Sequence, residues 1–437
     1  MNFVVHLSGV LRIQTDQFGI FGGKQTGRLA SVSNGRPVLE FDAALRSLVW
    51  FLKTVYSPMI SEIHAKSILR KQKKVESWFV SRYGMNLYRG CTHNCAYCDG
   101  RAEKYNVDGE FGKDIAVKSN ALEVLRRELD PSRKRKPMPR GFMFVGGGVC
   151  DSYQPAEATY HLTRQTLELL GETEFPVHML TKSTLIERDL DILTRIQEKT
   201  NAVISMSFSS VDDDISAVFE PGVPRPRQRL QTLEKFKKNG FTVGMYLMPV
   251  LPGITDTPEQ IQQTVQAATE SGVDFIIFGG MTLKGGRQQE HFFKILQGYD
   301  ESLLPLYDTI YTGDTWGQAA QGYYETIHKV FYPIAQAFNM PVRIPPHVWR
   351  DWVDDTDRVI IILEHLDYLL KLRGQPSHYG YAAYSISKSK IPLVEMRDTL
   401  EQLPGVGKTT ARLIREIWDT RTSKYYEWLL LGNPQKS

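Results

Sequence analysis

Three of the four cysteines in this chain of 437 residues lie in one short run. Cys91, Cys95 and Cys98 are separated by three and then by two residues, and Cys150 is the fourth cysteine. Thiolates at this spacing can converge from one loop on a soft metal centre. A structural zinc site is normally closed by four protein ligands, whereas an iron-sulfur cluster with three cysteine ligands keeps one iron free. The run indicates such a cluster, and a zinc site completed by His93 or Cys150 is the alternative.

The composition is that of a globular protein with a large core, because 42% of the residues are hydrophobic and 23% are charged. Four cysteines are too few for a disulfide framework in a chain of this size, which predicts a reducing, cytoplasmic compartment. The apolar stretch at 43–60 contains Arg46, Lys53 and Pro58, so no membrane span and no signal peptide are expected. The net charge of +4 is mild. Basic runs at 66–74 and 133–140 could each be a solvated face or a phosphate-binding surface.

The elements that must position the cysteines follow a regular alternation. Apolar, β-branched runs predict strands near 85–88, 142–146, 177–181, 202–208, 242–249 and 274–279. Amphipathic segments predict helices near 119–129, 157–171, 184–198, 225–239 and 258–271. Thr257 and Pro258 suit a helix start, and Gly240 and Gly272 suit helix ends. The pattern predicts an α/β fold, an incomplete (β/α)6 barrel of the TIM type, with the cysteine run directly after the first strand.

The chain divides by pattern into five segments. Residues 1–58 show no clear alternation and are expected to be an extension whose structure the sequence does not define. The barrel domain is expected at 59–350 and is followed by a helical C-terminal region. That region is predicted to contain a helix and a Gly, Ser and Tyr-rich linker at 351–390, a helical hairpin at 391–420 and a tail at 421–437.

Within this strand and helix pattern, the cysteine run resembles that of the radical S-adenosylmethionine (radical SAM) superfamily. Residues 83–101 and 145–349 resemble its spore photoproduct lyase-like branch, also called DNA repair photolyase-like. The resemblance implies that Cys91, Cys95 and Cys98 hold a [4Fe-4S] cluster. It also implies that SAM binds the free iron and is cleaved to methionine and a 5'-deoxyadenosyl radical. An electron donor such as flavodoxin or ferredoxin is implied as a partner.

The same resemblance implies residues for SAM binding at the ends of successive strands. Tyr97 stands where the family places an aromatic ring beside the cluster and SAM. Lys182 resembles the lysine that meets the SAM carboxylate, and Ser207 resembles a serine that contacts the cofactor. The family's glycine-rich turn, which approaches the methionine amino group, corresponds to Gly146, Gly147 and Gly148, although its acidic member is missing here.

Two positions near the cysteines depart from the photoproduct lyase pattern. Those enzymes carry a cysteine in the loop after the second strand that donates a hydrogen atom, and Cys150 lies one or two positions beyond it. A hydrogen donor, a neighbour of SAM and an inert buried thiol are the three interpretations of Cys150. Those enzymes also have a relay tyrosine directly after the third cysteine, where this chain has Asp99. Both departures argue against reversal of a thymine dimer as such.

The segment 400–417 resembles a helix-hairpin-helix motif. Gly405 and Gly407 would permit the tight turn, and their N–H groups with Lys408 would contact a nucleic-acid phosphate. A hairpin used only for packing is the alternative. A Walker A loop is excluded because Gln402 stands where that motif needs glycine, and because no strand precedes it.

These observations predict a radical SAM enzyme that acts on DNA or RNA, by lesion repair or base modification. One alternative is the same chemistry on a protein or small molecule, with a purely structural hairpin. The other is a non-enzymatic, zinc-stabilised protein that binds nucleic acid.

Overall fold

A computed structural model of the chain describes residues 59–105, 109–133, 138–146, 149–313 and 315–432, together with four short strands nearer the N-terminus. The chain forms two compact units, Met1–Met59 and Ile60–Ser437. In the first unit, β1 (Val4–Val5) pairs with β2 (Leu11–Arg12), and β3 (Leu29–Ser33) pairs with β4 (Arg36–Leu39), both antiparallel. The domain boundaries at 350, 390 and 420 stay predictions.

The second unit is built on a seven-stranded sheet that confirms the predicted fold class. Its strands in chain order are β6 (Leu69–Glu76), β7 (Ser81–Met85), β10 (Phe142–Val145), β11 (Val177–Thr181), β12 (Ala202–Phe208), β13 (Thr242–Val250) and β14 (Phe275–Gly280). The six strands from β7 onward are parallel and lie in chain order, and β6 pairs antiparallel with β7 at the edge. Crossover helices between consecutive parallel strands make this an incomplete (β/α)6 barrel.

The first barrel strand lies earlier in the sequence than the predicted 85–88. It ends at Met85, and the next strand, β8 (Tyr88–Arg89), belongs to a different sheet. There β8 pairs with β9 (Ile115–Lys118), which also pairs with β5 (Ile60–Ile63). The expectation that the cysteines follow the first barrel strand directly is therefore wrong. The pairing of Tyr88 with Val117 draws this segment out of the barrel before Cys91 is reached.

The helices of the barrel lie close to their predicted positions. They span Ala121–Leu129, Glu157–Tyr160, Leu162–Glu172, Leu190–Lys199, Asp213–Phe219, Pro226–Lys238 and Pro258–Glu270. The Thr257 hydroxyl caps the last of these by accepting from the Gln260 N–H at 3.3 Å, as predicted. Gly240 and Gly272 adopt positive φ angles of 82° and 73° at the expected helix ends. The predicted helix at 184–198 begins instead as a 3-10 helix over Thr184–Asp189.

The region after the barrel is helical, as predicted. Its helices are Arg287–Asp300, Leu304–Ile310, Gln321–Ala337, Pro346–Trp349, Asp355–Leu372, Tyr379–Lys388, Lys408–Thr420 and Lys424–Leu431. The helix Tyr379–Lys388 occupies most of the segment expected to be a linker, because Ala382, Ala383 and Ile386 form a buried stripe. A further helix, Lys424–Leu431, lies within the predicted tail.

The barrel has two distinct ends. We call the carboxyl ends of the parallel strands the cysteine end, because the cysteine loop follows β7 there. The turn between β6 and β7 lies at the opposite end. His365 of the helix Asp355–Leu372 pairs through Nε2 with the Ser77 carbonyl of that turn at 3.0 Å, and Tyr426 pairs with His365 at 2.7 Å. The C-terminal helices therefore pack on the end opposite the cysteines.

Within the described part of the chain, no helix combines the length and the apolarity needed to cross a bilayer.

Candidate active site

The chemically useful side chains follow the carboxyl ends of successive strands. The cysteine loop comes after β7, Cys150 after β10, Lys182 directly after β11, and Ser207 at the end of β12. Because parallel strands of a barrel end at the same edge, their following loops meet there. The structure thus brings together residues that are far apart in the sequence.

The three cysteines of the loop lie close to one another and away from solvent. Cys91 and Cys95 are buried, Cys98 is partly buried, and all three are free thiols. The charges of Cys91 and Cys98 both act on Cys95. Burial raises the pKa of the Cys95 thiol well above its usual range and that of Cys98 to about 12. A bound metal centre would have to displace these protons and supply the compensating positive charge.

Two buried side chains hold the cysteine loop in shape from either side. The Arg101 guanidinium donates to the Cys95 carbonyl at 3.2 Å and to the Asn94 carbonyl at 3.4 Å. On the other side, the Gln154 amide accepts from the Thr92 N–H and donates to the Gly90 carbonyl, each at 3.1 Å. Backbone groups that would otherwise be unpaired in the interior are satisfied, which fixes the loop.

The residues of the cysteine loop fit an iron-sulfur cluster. The cysteine ligands of a cluster sit on separate iron atoms and need not share one point. Three free, buried thiols in a clamped loop therefore suit a cluster.

His93, the alternative zinc ligand, has a different neighbour. Its ring is buried, and Nδ1 lies 3.4 Å from Asp151 Oδ2, a distance at the limit of a hydrogen bond. Burial lowers the pKa of His93, but the Cys91 and Asp151 charges outweigh it and raise the pKa to about 10. His93 thus joins the cysteine loop to the residue that follows Cys150.

The structure brings Lys182, Ser207 and Tyr97 together. The Lys182 ammonium donates to the Ser207 hydroxyl at 2.9 Å, and that hydroxyl donates to the Met248 carbonyl at 2.9 Å. The same ammonium lies 5.5 Å from the centre of the Tyr97 ring. A cation and a hydroxyl therefore lie next to each other beside the cysteine loop.

A fourth member of this group, Glu220, was not predicted. Its side chain is buried, and it accepts from Lys182 at 2.8 Å, from Arg229 at 2.6 Å and from the Tyr97 hydroxyl. Burial alone would raise the pKa of Glu220, but Arg229 and Lys182 outweigh it and hold the pKa well below its usual range. Glu220 directly follows the helix Asp213–Phe219, and the sequence carries no signal that links it to Lys182 or Tyr97.

The glycine turn is described only at its first residue. A Cβ atom on Gly146 would lie 2.5 Å from the Leu180 carbonyl oxygen, so no side chain fits there. Gly147 and Gly148 lie outside the described residues.

Cys150 is buried near the cysteine loop. Burial raises the pKa of its thiol well above the usual range, and the Cys91 charge adds to that rise. The next residue, Asp151, accepts from the Thr181 hydroxyl and the Lys182 N–H, both at 2.7 Å. Asp151 therefore ties this loop to the end of β11, a role that sequence reasoning did not assign.

The C-terminal hairpin has an apolar core and one helical arm. Its buried residues are Leu400, Leu403, Val406, Ala411, Ile414 and Ile417. The first arm consists of 3-10 turns at Leu393–Met396 and Leu400–Gln402 instead of an α-helix. Gly405 has a φ of 79°, which favours glycine, whereas Gly407 has an ordinary φ of −83°. Lys408 is exposed at the start of the helix Lys408–Thr420.

Known proteins place the barrel in one superfamily. The family model described as the radical SAM superfamily matches residues 85–265. An uncharacterised protein of Mycobacterium bovis is 30% identical over 269 residues, which are 59% of this chain and 77% of that protein. A radical SAM Nalpha-GlyT isomerase of Pseudomonas phage M6 is 23% identical over 43% of this chain and 36% of its own length.

Among solved structures, a mutant spore photoproduct lyase with dinucleoside spore photoproduct has a TM-score of 0.48 and 17% identity. That match covers 64% of this chain and 79% of the other. The cofactors of the matched superfamily are a [4Fe-4S] cluster and SAM, and its members require a reductant. The cysteine loop, the parallel barrel and the sequence matches lead to one assignment: this chain is a radical SAM enzyme and belongs to the radical SAM superfamily.

Proposed function

We propose that Cys91, Cys95 and Cys98 hold a [4Fe-4S] cluster and that Lys182 and Ser207 bind the carboxylate of SAM, for chemistry on DNA or RNA. When bound, the cluster supplies the electron that cleaves SAM to methionine and a 5'-deoxyadenosyl radical. The barrel residues bind and orient the cofactor and exclude water from it.

The observation that carries the cofactor assignment is the link between Tyr97 and Lys182. Tyr97 lies between the second and third cysteines of the loop, and Lys182 directly follows strand β11. Both donate to the same carboxylate oxygen, Oε1 of Glu220. A carboxylate bound by Lys182 and Ser207 would therefore sit next to the cysteine loop, where the free iron of a cluster needs its ligand.

The nucleic-acid substrate is supported by the hairpin and its surroundings. Lys408 and Arg412 are exposed on the first two turns of the helix Lys408–Thr420. Gly405 and Gly407 line an open cleft of about 560 Å³ together with the exposed ring of Tyr381. Backbone N–H groups and cations at a helix N-terminus suit a phosphate, and an exposed ring suits a base.

Cys150 is the candidate hydrogen donor within this proposal. Cys150 is buried in the loop after β10, and the Cys91 charge contributes to the raised pKa of its thiol, which supports a position near the proposed cluster. Cys150→Ala is expected to leave SAM cleavage intact and to change the products. Loss of SAM binding in that variant would assign Cys150 to the cofactor site instead.

The proposal also names a compartment and a partner. Free thiols at all four cysteines suit the reducing cytoplasm. A flavodoxin or ferredoxin is the proposed source of the electron.

A second candidate function is the same radical chemistry on a protein or small molecule. The location of the C-terminal helices favours it, because they pack on the barrel end opposite the cysteines. A nucleic acid bound at the hairpin would have to extend around the barrel, whose strands are on the order of 20 Å long, to reach the cofactor.

Release of 5'-deoxyadenosine from the reduced, reconstituted protein separates the two candidates. Duplex DNA, single-stranded DNA, RNA and a peptide mixture are compared as additives. The proposal predicts that a nucleic acid stimulates release and that K408E combined with R412E abolishes the stimulation without affecting basal SAM cleavage. R126E combined with R195E makes the same charge change on outer helices and serves as the control. Stimulation that persists in K408E/R412E would favour the purely structural hairpin.

A further inference from the structure

The segment Phe219–Gly222 lies directly on the cysteine loop. The Ala96 N–H donates to the Phe219 carbonyl at 2.8 Å, and the Gly222 N–H donates to the His93 carbonyl at 3.0 Å. Ala96 and His93 both stand between cluster cysteines. The segment and the loop are therefore joined by main-chain hydrogen bonds at both ends.

Gly222 is needed for this close approach. A Cβ atom at that position would lie 2.6 Å from the Thr92 carbonyl oxygen and 2.7 Å from that of His93. Both neighbours are main-chain atoms of the cysteine loop, so they cannot move aside without moving the cysteines.

Glu220, in the middle of the segment, gathers donors from separate elements. Its Oε1 accepts from Lys182 at the end of β11 and from the Tyr97 hydroxyl in the cysteine loop. Its Oε2 accepts from Arg229 at 2.6 Å and from the Ser216 hydroxyl at 3.2 Å. One carboxylate with no exposed surface thus holds two charged side chains and one ring of the site.

The single negative charge of Glu220 is shared by two cations, so the three side chains together carry one net positive charge. Arg229 is itself fully buried and would be neutralised by one carboxylate, yet Lys182 shares that carboxylate. An ammonium has three N–H donors. Of the described residues, only Ser207 and Glu220 accept from this ammonium, so one donor remains for a bound anion.

We propose that Glu220 is a positioning residue that fixes the Lys182 ammonium for the SAM carboxylate and couples it to the cysteine loop through Tyr97. The inference rests on the proposed role of Lys182 in SAM binding. In this role, the segment Phe219–Gly222 holds the SAM-binding residues at a fixed position relative to the cluster. Without that link, the ammonium and the cysteine loop would be set by separate elements of the barrel.

Glu220→Gln tests the coupling because it keeps the size of the side chain and removes its charge. In anaerobically reconstituted protein, E220Q is expected to weaken SAM binding by about tenfold while the iron content stays at the wild-type level. SAM changes the electron paramagnetic resonance spectrum of the reduced cluster. At equal SAM occupancy, this change should be smaller in E220Q than in the wild type. Glu234→Gln, an exposed carboxylate on the helix Pro226–Lys238, is the control and should bind SAM normally.

Two further variants separate the role of Glu220 from the underlying role of Lys182. Tyr97→Phe keeps the ring and removes only the hydrogen bond to Glu220. This variant should weaken SAM binding by about threefold. It tests the same link if E220Q does not fold. Lys182→Met tests the underlying assignment. If K182M binds SAM normally, the proposed role of Lys182 fails. In a second outcome, K182M loses SAM binding but E220Q binds SAM with an affinity within twofold of wild type. That outcome would overturn the inference about Glu220 and leave the role of Lys182 intact. Y97F replaces E220Q in this comparison if E220Q does not fold.

Discussion

The Asp99 carboxylate, in the residue after the third cysteine of the loop, lies 2.7 Å from the Lys284 ammonium. Lys284 follows β14, the last barrel strand, and its side chain is 8% exposed. The pair therefore joins the first and last parts of the barrel at the cysteine end. In the photoproduct lyases that the sequence resembles, a tyrosine stands at this position. In this chain the position is committed to an ion pair and offers no phenol for a radical relay.

Lys284→Met should destabilise the contact between the first and last parts of the barrel. The substitution removes the charge that compensates Asp99, whose side chain is only 30% exposed. We expect a loss of about 2 kcal/mol in the free energy of unfolding, below the value for a fully buried pair because Asp99 keeps some solvent. Anaerobic urea unfolding measures it. Arg126→Met breaks the exposed pair with Glu172 and should cost at most about 0.5 kcal/mol. Equal losses in the two variants would refute a structural role for the Asp99 pair.

Arg101→Met should loosen the cysteine loop. The guanidinium bonds to the carbonyls of Cys95 and Asn94, and a thioether cannot replace those bonds. Each lost bond to a charged donor is worth about 1.5 to 3 kcal/mol. We expect faster loss of iron to a chelator, followed by the decay of visible absorption. Arg287→Met removes an exposed cation nearby and should retain iron like the wild type. Equal rates of iron loss in all three proteins would contradict the clamp.

The pH dependence of stability should show the signature of Asp357. Burial, followed by the Asp354 charge, raises the pKa of Asp357 to about 7, although Arg82 lies 2.7 Å away. The native state then holds a proton that the unfolded chain releases near pH 4, so stability falls as pH rises from about 4 to about 7. The protonation of Asp357 accounts for a decrease of at most about 4 kcal/mol in the free energy of unfolding over this pH range.

Asp357→Asn should remove that component of the pH dependence. The melting temperatures of the two proteins, measured between pH 5 and pH 8, should diverge as pH rises, with the variant the more stable above pH 7. A constant difference across this range would show that Asp357 titrates normally. The amide oxygen can still accept from Arg82, so the geometry of the pair is kept.

The two hairpin glycines should respond differently to alanine. At Gly405 the φ of 79° is unfavourable for alanine, and a Cβ atom would lie 2.5 Å from Tyr381 Cδ1. We expect G405A to lose about 1 to 2 kcal/mol. At Gly407 no heavy atom lies within 4 Å of an added Cβ, and φ is ordinary, so G407A should be nearly neutral. Thermal unfolding compares them, and equal losses would mean that the hairpin turn is not as described.

The barrel was predictable from the sequence because its strands are buried on both faces. Such strands appear as continuous apolar runs, and Phe275–Gly280 is an example. The first strand was misplaced because its residues alternate between buried and partly exposed, and because Tyr88 leaves for another sheet. Pairing partners of that kind are set by tertiary contacts that a single sequence does not show.

The site was predictable only in part, for a related reason. Cys91, Cys95 and Cys98 are close in sequence, so their spacing shows in the chain itself. Glu220 acts through Lys182 and Tyr97, which are 38 and 123 residues away. A lone carboxylate in a loop carries no signal of such partners. The helix Tyr379–Lys388 was missed because glycine, serine and tyrosine favour a loop locally, whereas packing of its alanines decides otherwise.

The most direct test of the account is a metal and turnover measurement on the anaerobically reconstituted protein. The wild type should contain about four iron atoms per chain, show the visible absorption of a [4Fe-4S] cluster and, after reduction, cleave SAM to 5'-deoxyadenosine. Cys95→Ala should lose that cleavage, whereas Glu234→Gln should keep it. One zinc ion per chain without iron, or undiminished cleavage in the Cys95 variant, would contradict the central claim that the cysteine loop holds the cluster.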